Sequence, residues 1–256
     1  MTPELDPREV FRLRLQRLVG RAAFAAVGPG CIFAMRVVRN NRLEGIEAAR
    51  RVYRDALATG LPTVICANHL TMVDSGFLHW ALASVPDYLL HYERYSWNVA
   101  ASEHFKSNAF LSSLVFLSKT VGIDRSGDEA HRKAVLEKLR WLVSHGEVVT
   151  LFPEGRRSRS GRIDPPTVTY GIGQLLKDLE RPQVLCVYLR GRNQQVMSSI
   201  PAWGDTMEIA VELIEPSTTQ TGLRAVRDLS RQVITKLKAM EDAWLAQRGT
   251  FALTNP

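Results

Sequence analysis

Cysteine is scarce in this 256-residue chain, and the three present, Cys31, Cys66 and Cys186, lie far apart. Their separations match no zinc or iron–sulfur ligand set, so neither a metal site nor a disulfide framework is expected to organise the fold. Each sits in an apolar stretch and reads as a small buried hydrophobe, and an odd count fits a reducing compartment. A Gly/Ser/Pro-rich linker, an internal repeat and a low-complexity tract are also missing. Zinc-finger spacing, an aromatic RNA-binding signature and a helix-turn-helix pattern are absent, which removes the usual modes of nucleic-acid recognition. No uninterrupted apolar run reaches the roughly 20 residues that a spanning helix needs.

What is present is an ordinary globular composition, 45% hydrophobic and 23% charged, with a formal charge of +7. A basic balance suits anionic partners: a bilayer surface, an acidic carrier protein or a phosphorylated small molecule. Surplus arginine also serves plain solubility, so the charge alone names no partner.

The first forty residues differ from the rest. Arg8, Arg12, Arg14, Arg17 and Arg21 alternate with Val10, Phe11, Leu13, Leu15, Leu18 and Val19, and an uncharged stretch from Ala22 to Met35 is interrupted by Gly28-Pro29-Gly30. The long basic region and the lack of a small-residue cleavage site argue against a signal peptide. The pattern predicts two short helices joined at Gly28–Gly30 and lying in a membrane interface; the alternative is a helix pair packed on the protein's own core. Residues 1–40 are therefore read as an interfacial segment and 41–256 as one α/β domain.

After Asn40, strand-like and helix-like segments alternate. Thr63–Ala67, Val121–Asp124, Val148–Phe152, Val184–Leu189 and Met207–Ile214 read as strands. Residues 44–58, 74–83, 105–119, 128–145, 172–180 and 223–246 read as helices. Such alternation predicts a mostly parallel sheet sandwiched by helices, with functional residues in the loops beyond strand C-termini.

Two of those loops carry chemistry. Asn68-His69-Leu70-Thr71-Met72-Val73-Asp74 follows the first buried strand. With a turn between them, Asp74 can fold onto one ring nitrogen of His69, fix its tautomer and leave the other nitrogen as a base. Taken singly, Asp74 reads as a helix N-cap and His69 as a hydrogen-bonded loop histidine. Phe152-Pro153-Glu154-Gly155-Arg156-Arg157-Ser158 follows another strand in the same way. Arg156, Arg157, Arg159 and Arg162 there form either an anion cradle or a solvated basic loop. Arg125, after Gly122-Ile123-Asp124, either joins that cradle or pairs with a neighbouring carboxylate.

In order and spacing these segments resemble the motifs of the glycerophospholipid acyltransferase family, which includes the 1-acylglycerol-3-phosphate acyltransferases. Asn68-His69 with Asp74 is similar to its NHxxxxD motif, Gly122–Arg125 to its second, Phe152–Ser158 to its FPEGTRS motif and Val184–Leu189 to its fourth. The resemblance implies an O-acyltransferase of phospholipid biosynthesis that moves a fatty-acyl group from acyl-CoA or acyl carrier protein to a lysophospholipid hydroxyl. His69 is implied as general base and Asp74 as its orienting partner. Asn68, Arg125, Glu154, Gly155, Arg156 and Arg157 are implied around the acceptor, with no cofactor or metal. Similarity of the N-terminal segment to the docking helices of bacterial members implies a monotopic protein on the cytoplasmic face of the inner membrane. Two departures touch acceptor recognition: Arg156 stands where the family usually has Thr, and the fourth motif lacks its proline. They admit a non-glycerol acceptor such as a lyso-ornithine lipid. Two further readings compete, a silent lipid- or carrier-binding protein and a hydrolase using water.

Overall fold

A computed structural model of the chain describes residues 5–248; residues 1–4 and 249–256, the ends of the two segments read above, lie outside it. The fold is a seven-stranded sheet with helices on both faces. Strand β1 is Arg42–Glu44, β2 Thr63–Ala67, β3 Trp97–Ala101, β4 Thr120–Ile123, β5 Val149–Leu151, β6 Gln183–Gly191 and β7 Thr206–Ile214, in spatial order β1-β7-β6-β2-β5-β3-β4. Every pairing is parallel except β6 with β7. The helices are α1 Pro7–Phe33, α2 Ile46–Ala58, α3 Asp74–Leu82, α4 Val85–Leu90, α5 Ala109–Leu117, α6 Glu129–Ser144, α7 Gly171–Lys177 and α8 Gly222–Gln247. The expected α/β architecture is therefore present.

The central strands are buried on both faces, as a covered parallel sheet requires. Side chains alternate across β2 and β6. Val64, Cys66, Val184 and Cys186 face a core shared with α6, α7 and α8, whereas Ile65, Ala67, Leu185 and Val187 face α2 and α3. Burial of each such side chain is worth about 1.5–3 kcal/mol. Cys66 and Cys186 fulfil the reading of buried small hydrophobes; Cys31, near the end of α1, does not, because it is exposed.

Helix α1 also corrects an expectation. Asp6 caps it by accepting from Arg8 N–H at 2.8 Å, and the helix then runs unbroken through Gly28, Pro29 and Gly30. Packing on either side of the proline outweighs its lost hydrogen bond. Phe24 lies against Tyr88, Tyr92 and Tyr95 with ring centroids 5.0–5.8 Å apart, and Ile32 and Met35 pack on the α2/α3 core. The break comes later, in a π-helical turn at Ala34–Val38, where Arg39 N–H bonds Ala34 O.

The face that α1 turns inward carries Leu13, Gln16, Gly20 and Phe24, a mixture of apolar, small and polar positions. Gln16 Nε2 donates to Phe116 O and Thr120 O, both at 3.0 Å, and Gly20 lies against Leu117 and Tyr92. Arg17 pairs at 2.8 Å with buried Glu147, which also accepts from Lys119 at 2.5 Å and Trp97 Nε1 at 2.9 Å. Its outward face carries Phe11, Leu15, Leu18 and Phe33, all exposed. The stretch Pro7–Val38 is long and apolar enough to cross a membrane by length and composition. An apolar face turned away from the protein fits membrane association.

Candidate active site

Strand β2 delivers the chain to Asn68, whose amide is spent on β6: Oδ1 accepts from Leu189 N–H at 2.7 Å and Nδ2 donates to Leu189 O at 2.9 Å. Asn68 is buried, and its side chain fastens the loop to the sheet rather than standing free for a substrate.

The loop then doubles back over Asp74, the first residue of α3. Asp74 Oδ2 lies 3.0 Å from His69 Nδ1 and accepts from the N–H groups of Leu70 at 2.7 Å and Thr71 at 2.8 Å. Thr71 Oγ1 donates to Oδ1 at 2.5 Å. Asp74 is thus bonded upstream into its own loop and is not a simple helix cap. A carboxylate only accepts, so Nδ1 carries the proton and Nε2 keeps its lone pair. Nε2 has no hydrogen-bond partner among the described residues, and the His69 side chain is 20% exposed. Its ring stacks on Phe152 with centroids 4.2 Å apart, which fixes the imidazole plane.

The loop after β5 grips the main chain of His69 from the other side. Glu154 Oε1 accepts from His69 N–H at 3.1 Å, and Ser158 N–H donates to His69 O at 2.9 Å. Gly155 makes the turn at φ +66°, where a side chain would also strike Thr169. Its carbonyl accepts from Arg125 Nη2 at 3.0 Å, which brings the second motif into the site; Arg125 also lies 3.7 Å from Glu103. Arg157 donates to Ser198 O at 3.0 Å, while Arg156 and Arg159 are exposed with no hydrogen bond or ion pair among the described residues. Arg162 is 3.7 Å from Glu241 and points away from the cradle. Burial pushes the Glu154 carboxyl up to about 7, with a smaller push from nearby Glu241 and Asp74.

The geometry offers an imidazole whose Nδ1 is held by Asp74 and whose Nε2 has no partner among the described residues, with Arg156 and Arg159 exposed on the neighbouring loop. The profile of the family described as "Acyltransferase" matches residues 31–190, well over half of the chain. The chain belongs to the acyltransferase family. Acyl transfer is accordingly its general function, with an acyl donor and a lipid acceptor as substrates. Comparison with curated proteins finds no match.

Sequence reasoning missed Thr71, Phe152 and Ser158. Thr71-x-x-Asp74 has the spacing of a capping box, and that pattern was the available signal for the first. Phe152 and Ser158 act through contacts between loops more than eighty residues apart in sequence, for which a single chain gives no local sign.

Proposed function

We propose that this acyltransferase joins a fatty-acyl group from acyl-CoA or acyl carrier protein to the hydroxyl of a lysolipid, with His69 as general base. The observation that carries the reading is the Asp74-held imidazole with Nε2 unbonded. Nε2 takes the proton of the acceptor hydroxyl as its oxygen attacks the thioester carbonyl. The tetrahedral adduct collapses, the C–S bond breaks and the thiolate leaves with the proton returned by His69, giving an ester and a free thiol. Asp74 stabilises the imidazolium between these steps. Arg125, Glu154, Gly155, Arg156 and Arg157 form the acceptor side, with Asn68 holding the loop. No cofactor or metal takes part. The N-terminal segment, residues 1–40, rests on the cytoplasmic face of the inner membrane, and residues 41–256 form the catalytic domain.

The free guanidinium of Arg156 favours an acceptor with an anionic head group. A lysophospholipid meets that requirement, and so does a non-glycerol lysolipid bearing a carboxylate.

A mass-spectrometric transfer assay tests the chemistry. Wild type and His69→Ala are each offered acyl-CoA and acyl carrier protein with a panel of lysolipids. We expect an acylated product from the wild type, reduced by roughly 10²–10⁴-fold in the variant. Equal product from both would remove His69 as the base.

A further inference from the structure

The segment between β6 and β7, residues 192–205, is bonded to both the catalytic loop and the end of the N-terminal helix. Ser198 N–H donates to Leu70 O, and Met72 N–H to Ser199 O, both at 3.0 Å. Farther along, Arg39 Nη2 reaches Pro201 O and Asn41 Nδ2 reaches Ala202 O, each at 2.8 Å, and Gly204 N–H donates to Arg39 O at 2.9 Å. The main chain is therefore fixed, while several of its apolar side chains are left outside. Trp203 is 67% exposed although its one polar atom is satisfied, Nε1 donating to Val38 O at 3.3 Å. Val37, Val38, Ile200 and Met72 are exposed beside these bonded positions.

Scattered exposed apolar residues need no explanation, but these follow one hydrogen-bonded path from the His69 loop to the end of α1. Phe33, on the outward apolar face of that helix and close in sequence to Val37 and Val38, is exposed as well. A tryptophan with a capped N–H and a bare ring suits the boundary between head groups and acyl chains. The flanking charge has the matching sign: Arg36, Arg156 and Arg159 are exposed and make no ion pair among the described residues. Apolar side chains framed by free guanidinium groups fit an anionic lipid surface.

We infer that residues 196–203, anchored by Trp203, form a second docking element that seats the mouth of the His69 site against an anionic bilayer. The N-terminal helix then holds the protein at the surface, and this element sets which way the site faces. A lipid acceptor reaches His69 without leaving the membrane. Binding to the surface is independent of the acyl-transfer reading; only the turnover comparison rests on it.

The test uses the full chain, as wild type, Trp203→Ser and Ile200→Ser, with each variant's thermal unfolding measured first. Vesicles are phosphatidylcholine alone or with one third phosphatidylglycerol, with and without brominated acyl chains. We expect Trp203→Ser to weaken binding to the anionic vesicles roughly tenfold or more, and Ile200→Ser a few-fold. Brominated lipid should quench wild-type tryptophan emission, and most of that quenching should vanish in Trp203→Ser. Turnover of a bilayer-resident lysolipid should fall with binding, whereas turnover of a short-chain acceptor dispersed as monomers should hold. Unchanged binding and quenching in Trp203→Ser would overturn the inference. So would a wild-type dimer, in the absence of lipid, that this substitution dissolves, because the patch would then be a self-association surface. Absence of wild-type turnover with either acceptor would count against the proposed function and leave the vesicle result to decide this one.

Discussion

Glu154 has two duties that pull its chemistry in opposite directions: it accepts a hydrogen bond from the His69 main chain, which favours the anion, and it is buried, which favours the acid. Burial wins, and the carboxyl titrates near 7 instead of the ordinary 4.5. The folded state therefore holds a proton that the unfolded chain releases between about pH 4.5 and 7. Stability is favoured at the acid end of that window and falls as pH rises through it, by roughly 3 kcal/mol in total. Glu154→Gln keeps an acceptor for the His69 N–H and removes the titration. We expect the variant to gain roughly 3 kcal/mol over wild type at pH 8 and to match it near pH 4.5, measured by urea unfolding at both pH values. A difference independent of pH would show that the carboxyl titrates in the folded protein as it does in the unfolded chain. Asp74, also buried, differs in its partners: four donors meet its two oxygens.

At the level of elements, α1 is seated by the absence of a side chain at position 20. A Cβ there would come within 2.7 Å of Tyr92 Oη and 2.9 Å of Leu117 O, so Gly20→Leu must push the helix outward. We expect a loss of about 1–3 kcal/mol, with faster amide exchange across Pro7–Phe33 and unchanged protection in α8. Equal loosening of both helices would mean that α1 is integral to the core. The strands that matter for the site were legible in sequence: Thr63–Ala67 is an unbroken apolar run, and Val149–Leu151 falls inside another. Strand β1 was not, because Arg42-Leu43-Glu44 is three residues at a polar edge; β3 escaped because Trp97-Asn98-Val99-Ala100-Ala101 neither alternates nor forms a continuous branched run. Pro86 follows the helix expected over 74–83 and opens the next one, its first-turn position costing no hydrogen bond. The proline at position 29 misled for a related reason, since local propensity says nothing of the aromatic cluster that holds the helix together. In the site, the His69–Asp74 pairing and the two strand-end loops could be read from the chain, whereas the stacking of His69 on Phe152 belongs to the assembled fold.

Across the whole molecule, the C-terminal helix controls the shape of the basic loop. Glu241 of α8 accepts from Ile163 N–H at 3.1 Å and from Lys238 at 2.8 Å, and lies 3.9 Å from buried Arg190. Arg190 in turn bonds Gly161 O, Gln194 O and Gln195 O, tying the loop after β5 to the docking segment. Arg190, near the end of β6, thus serves as a clasp. Glu241→Leu leaves Arg190 without its buried counter-charge, and we expect a loss of about 3 kcal/mol in chemical unfolding. Glu241→Gln, which still accepts from Ile163 N–H, should lose less; equal losses would assign the effect to the missing counter-charge alone. The edge strand β1 lies parallel to β7, and Arg39 and Asn41 bond residues 161 to 164 positions later. At roughly 5–20 residues per second, synthesis separates the two ends of that contact by about ten to thirty seconds. During this interval the apolar helix has emerged, but the edge that will fix its trailing end does not exist. A nascent chain in that state presents its apolar helix with the trailing end unfastened, and the last strand to be made is the one that closes it.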